Sequence, residues 1–199
     1  MKSPLITLIL CALCFAAIAQ KANTNKHYNA GVNHYNSRDY KASIKSFEKA
    51  IKEGDKNSNT YYFLAKAYQK TENFDNAEKS IAKAIEINGN FQEYHFEHGL
   101  ICAINRKYNQ AVLSFKEAIA IDENFKPAWY NLGLAYKEMK LYDYMIVVAD
   151  QLIILDKQYG KAYYLKALAF EAQGDDAKKD RMIEKAVRLD PTLKRLARY

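Results

Sequence analysis

Two histidines, His95 and His98, stand three residues apart, a spacing that puts both imidazoles on one side of a helix and could begin a metal site. No third ligand at suitable spacing accompanies them, with only Glu97 close by, so the pair is read as packing side chains and no metal is assigned. His27 and His34 take the same reading. Cys102 lies in an apolar helical pattern, where a single thiol behaves as a small hydrophobe rather than a nucleophile. No nucleophile elbow, glycine-rich phosphate loop or paired-carboxylate signature occurs elsewhere. The chain is therefore not read as an enzyme, and no catalytic residue or cofactor is expected.

The residues that could do chemistry of another kind are rings. Tyr28, Tyr62, Phe96, Tyr130 and Tyr164 recur at intervals of 34 residues, and four residues after each stand Val32, Lys66, Leu100, Leu134 and Leu168. Tyrosine offers a large contact area with few rotors to freeze, and its hydroxyl adds a polar handle, which suits capture of a peptide.

A longer repetition must position these rings. The strings SFEKAI from Ser46, SIAKAI from Ser80, SFKEAI from Ser114 and MIEKAV from Met182 keep a 34-residue register, and VADQLI from Val148 supplies the missing member. Five units follow, at 24–57, 58–91, 92–125, 126–159 and 160–193. Each shows helical apolar spacing twice with a polar break between, as in YNLGLAYKEM, KLYD and YMIVVADQLIIL. Each unit is expected to be a helical hairpin that cannot bury its apolar faces alone, so neighbours must stack. Gly31, Ala65, Gly99, Gly133 and Ala167 would allow close helix approach, with Phe47, Ile81, Phe115 and Ile183 filling the space beside them. Pro191 after Asp190, with the amphipathic TLKRLARY beyond, predicts a short capping helix over 191–199.

Trp129, Leu132, Gly133 and Tyr136 form a W-x2-L-G-x2-Y opening, Ala111, Phe115 and Ala118 match the second half of the same pattern, and Pro191 falls where it closes. The chain resembles tetratricopeptide-repeat proteins over all five units. That resemblance implies an all-α fold, a right-handed α-solenoid of antiparallel helical hairpins whose first helices line a concave groove. It also implies a scaffold that binds a protein or peptide partner, with Tyr28, Tyr62, Phe96, Tyr130, Tyr164, Val32, Lys66, Leu100, Leu134 and Leu168 as the groove. The subgroup that clamps a terminal carboxylate is not matched, because Tyr28, Val32, Phe63, Glu93 and Glu97 stand at its positions. An asparagine ladder fails too, with only Asn29 and Asn131 in register.

The fourth unit departs from its siblings. Leu113, Val147, Val148 and Ile154 are expected on an outer docking patch for a partner or a second copy, and Met145 and Leu152 in place of alanines should spread this hairpin. This leads to the alternative of a structural envelope subunit or homo-oligomer; a small-molecule or metal-binding module is the third.

The composition agrees with a helical array. The 199 residues include only 7 Gly and 3 Pro, against turn-rich β folds, and 49% hydrophobic with 27% charged residues is a globular balance. Residues 1–19 form an apolar run behind Lys2 that ends in Ala17-Ile18-Ala19, which reads as a signal peptide followed by a short linker at 20–23. Its sixteen apolar residues would span about 24 Å, short of a ~30 Å hydrocarbon core. Export to a periplasm or the outside of a bacterial envelope is expected. The net charge of +7 sits mainly at the two ends with an acidic middle, which makes no continuous phosphate track, so nucleic acid is not a partner. Solvated lysines account for the basic ends better than membrane contact does.

Overall fold

The computed structural model describes residues 25–198, and side chains as far as Arg195. The signal peptide and linker read into residues 1–23 lie outside the described residues, as does the side chain of Leu196 in the expected cap.

Among the described residues there are ten α-helices and no strand. They fall into two compact units, divided after Gly89. The first unit holds α1 (25–36), α2 (Tyr40–Lys52), α3 (Ser58–Lys70) and α4 (Phe74–Ile87). The second holds α5 (Gln92–Ile104), α6 (Tyr108–Ile121), α7 (Lys126–Glu138), α8 (Tyr142–Leu155), α9 (Gly160–Ala172) and α10 (Asp176–Leu189). The expected cap is a 3₁₀ segment, Pro191–Arg198, in which the Asp190 carboxylate accepts the Thr192 amide at 3.1 Å and Leu193 is buried against Tyr163 and Ala186.

The turn inside every hairpin has one geometry. Arg38, Glu72, Arg106, Lys140 and Gly174, spaced by 34 residues, all adopt positive φ between 58° and 77°. The residue after each donates its amide five residues back, as Asn73 to Tyr68 at 2.9 Å and Asp175 to Phe170 at 2.9 Å, so the first helix of each hairpin ends in a Schellman motif. Asp39, Asn73 and Asp175 then cap α2, α4 and α10 through their side chains, whereas Lys107 and Leu141 provide no such bond to α6 and α8.

Small residues permit the close approach inside the hairpins. A Cβ on Gly31 would meet the Phe47 ring at 2.5 Å, and one on Gly99 the Phe115 ring at 2.5 Å. Ser43 donates to the Gly31 carbonyl at 2.9 Å in the same contact. In α8 the bulk is inverted. Met145, Ala149 and Leu152, all fully buried, stand where α6 has Ala111, Phe115 and Ala118. Met145 and Leu152 join the core of the second unit, while α7 and α8 lie less closely along one another than α5 and α6 do.

Candidate functional site

All ten residues of the expected groove are half-buried. In the first unit Tyr28 and Tyr62 belong to a ring cluster. Phe63 stacks on Phe47 at 6.1 Å between centroids and meets Tyr28, Tyr35 and Tyr62 edge-on at 6.4, 6.0 and 5.4 Å. Lys66 lays its ammonium over the rings of Tyr62, Tyr35 and Phe63 at 5.1, 5.7 and 6.0 Å and donates to the Tyr62 hydroxyl at 3.4 Å. Val32 lies half-buried on α1, one turn from Tyr28.

In the second unit Leu100 and Leu134 share an open cavity of about 480 Å³, completed by Ala103, Ile104, Tyr108, Phe115, Asn131, Ala135, Lys137 and Glu138. Its walls are apolar, and Asn131, Lys137 and Glu138 supply polar groups at its margin. Phe96 packs edge-on against Phe125 at 5.2 Å and at a tilt of 47° against the buried Phe115 at 5.9 Å, so that ring also serves the core. Tyr130 lies under the Lys161 ammonium at 5.7 Å. Burial pushes the Tyr130 hydroxyl up to about 12, and the neighbouring phenols of Tyr164 and Tyr159 add to the shift. Tyr164 is raised as well, chiefly by burial. Leu168 packs half-buried against the core of the unit.

Ala103 and Ile104 of the cavity, and Tyr35 of the ring cluster, had not been singled out. Their signal was available in the helical spacing, because Ala103 and Ile104 follow Leu100 by three and four residues and Tyr35 follows Val32 by three.

On the outer side Leu113, Val147 and Ile154 are 63%, 58% and 69% exposed, joined by Tyr144 and Leu155. Val148 is a correction: it is 6% exposed and belongs to the core beside Met145 and Leu152. The reason is angular, since Val148 is three residues from Met145 and four from Leu152 and shares their inward stripe, whereas Val147 lies a further 100° around the helix. Of the histidines, His95 and His98 both lie on α5. His98 Nδ1 lies 2.8 Å from Ser114 Oγ and its Nε2 3.6 Å from the buried Cys102 thiol. His95 stands in register with Trp129 and Tyr163, which donate to the carbonyls of Glu123 and Lys157 in the loop before their own helices, at 2.9 and 3.1 Å.

The tetratricopeptide-repeat sequence pattern matches residues 27–53, 58–91, 127–159 and 160–193, and a second pattern, described as TPR repeat, matches 99–140. The chain belongs to the tetratricopeptide-repeat family. These repeats serve as protein–protein interaction scaffolds, typically without catalysis of their own. Among solved structures the chain is similar to MamA, at 22% identity and a TM-score of 0.78 over 87% of this chain and 94% of that one. MamA 41-end from Desulfovibrio magneticus RS-1 is similar at 14% identity, with a TM-score of 0.78 over 86% and 97% of the two chains. YrrB, described as a TPR protein with an unusual peptide-binding site, is similar at 17% identity and a TM-score of 0.76 over 94% and 95%. These likenesses show an all-α solenoid fold. No curated protein sequence matches the chain significantly. No helix among the described residues is long and apolar enough to cross a membrane.

Proposed function

We propose that this tetratricopeptide-repeat protein is a non-catalytic scaffold, exported to the cell envelope, that holds a peptide or partner segment against the ring-bearing faces of its first helices. The observation that carries the reading is the open apolar cavity joining Leu100 of α5 to Leu134 of α7, two of the positions expected to line a groove. A cavity of about 480 Å³ is of a size that takes one or two apolar side chains of a bound segment, and the polar groups at its margin would orient it. The peptide-binding site in the printed description of YrrB adds weight by analogy. Export rests on the N-terminal apolar run and its Ala-x-Ala end.

Affinity purification from an envelope fraction tests the proposal. Leu134→Ala and Tyr62→Ala should each release the captured partner while circular dichroism remains that of the native chain. Capture that survives both substitutions in a folded protein overturns it. N-terminal sequencing of the envelope form should begin near Gln20 or Lys21, and an intact Met1 would remove export by cleavage.

A second reading draws on the outer face of α6 and α8, where Leu113, Val147 and Ile154 stand more than half exposed. Association with a second copy would cover them, and sedimentation would then find a species heavier than a monomer.

A further inference from the structure

The first helices of the two repeats in the first unit carry no acidic residue. Across α1 (25–36) and α3 (Ser58–Lys70) there is no Asp or Glu, while Lys26, Lys66 and Lys70 give the pair a charge of +3. The corresponding helices of the second unit differ, with Glu93 and Glu97 on α5, Glu138 on α7 and Glu171 on α9. Lys66 also breaks its own repeat series, which otherwise reads Val32, Leu100, Leu134 and Leu168.

The surroundings of Lys66 show what the break achieves. Its ammonium is held by three aromatic rings and a phenol oxygen, and no carboxylate among the described residues lies within ion-pair distance. Three other half-buried lysines do have one: Lys166 reaches Asp150 at 2.6 Å, Lys126 reaches Asp156 at 2.7 Å and Lys179 reaches Asp176 at 3.0 Å, whereas Lys185, over the Tyr163 ring at 4.4 Å, has none among the described residues. Ring faces stabilise an ammonium but leave its charge uncompensated, so a carboxylate brought to this corner gains a partly desolvated charge-assisted hydrogen bond. The same α3 stripe continues one turn later with Gln69 and Lys70, and α1 adds Asn25, Asn29 and Asn36, all donors for an extended chain.

We infer that the first unit recognises an acidic peptide segment, with one Asp or Glu side chain seated on Lys66 between Tyr35 and Tyr62. The inference rests on the groove reading above and names its ligand chemistry. Charge complementarity selects the occupant. One caged ammonium flanked by rings and amides fits a carboxylate on an otherwise amphipathic chain, whereas a nucleic acid needs a row of cations along a backbone.

The test uses the full chain and a short labelled peptide of alternating Glu and Leu, beside its twin with Gln at every Glu, read by fluorescence anisotropy. The glutamate peptide should bind on the order of tenfold more tightly than the twin, Lys66→Met should erase that difference, and Lys66→Arg should keep it. A glutamate peptide that does not bind, twins bound equally by the wild type, or a preference that survives Lys66→Met each overturn the inference. So does a labelled single-stranded oligonucleotide that binds more tightly than the glutamate peptide. Twins bound equally, with binding lost in Tyr62→Ala, would remove the charge preference and leave the groove reading standing. Equal binding that also survives Tyr62→Ala would remove both.

Discussion

Gly133 of α7 lies beneath the isobutyl group of Leu165 of α9, so close that a Cβ at 133 would stand 2.3 Å from Leu165 Cδ2. In the first and third repeats the equivalent glycine is covered by a phenyl ring of its own hairpin, Phe47 over Gly31 and Phe115 over Gly99. The fourth repeat has Ala149 at the phenyl position, and the next hairpin fills the space instead. Gly133→Ala should therefore cost about 1–3 kcal/mol by overpacking a fully buried contact, measured from the denaturant midpoint. Leu165→Ala in the same chain should relieve part of that loss, whereas Phe115→Ala should not. Equal relief by both would show that the contact between hairpins is not the constraint.

The five turns with positive φ give a second expectation. Only Gly174 among them is free of the Cβ penalty, while Arg38, Glu72, Arg106 and Lys140 bear it. Lys140→Gly should stabilise the fold by about 0.5–1 kcal/mol, and Gly174→Ala should destabilise it by a similar amount. Nothing lies within 4 Å of an added Cβ at 174, so a loss there reports backbone conformation and not a clash.

Alkaline pH should act through Tyr130. Its hydroxyl is held up to about 12 by burial and by the phenols of Tyr164 and Tyr159, above the ordinary value of 10. The folded state therefore favours the neutral phenol. Below pH 10 both states are neutral and the full stability is present; from pH 10 towards 12 the unfolded chain ionises first and stability falls. Tyr130→Phe should flatten this fall in chemical denaturation across that window. An unchanged slope would place the effect on other groups, among them Tyr68, which burial and its hydrogen bond to Glu48 also hold near 12.

Adjacent valines on α8 should respond in opposite ways. Val147→Glu removes an exposed apolar side chain and should change stability by less than about 0.5 kcal/mol, while Val148→Glu buries an unpaired charge and should unfold the second unit. If the outer face also joins two copies, Val147→Glu and Ile154→Lys should return the sedimentation coefficient to that of a monomer. A lone species at monomer mass in the wild type would remove that second reading.

The 34-residue register, the alternation of Gly99 with Phe115, and the ring series from Tyr28 to Tyr164 were legible in the amino-acid order, because repeated modules must repeat the residues that let them nest. Helical spacing was enough to place hairpins, and a polar break was enough to place their turns. It did not reveal that Arg38, Glu72, Arg106 and Lys140 adopt a left-handed conformation, since the Schellman hydrogen bonds that impose it act on the backbone of any residue. It also put Val148 outside, because one apolar run on α8 serves an inward and an outward stripe at once, and only the hairpins packed on either side decide which residues water reaches. The inverted bulk of Met145, Ala149 and Leu152 was resolved by Leu165 arriving from the next repeat, a contact between residues whose separation along the chain carries no periodic signal. The aromatic corner around Lys66 came about in the same way, as α1 and α3 brought Tyr35 and Phe63 to one ammonium. Periodicity states which residues share a face, and tertiary packing decides what that face meets.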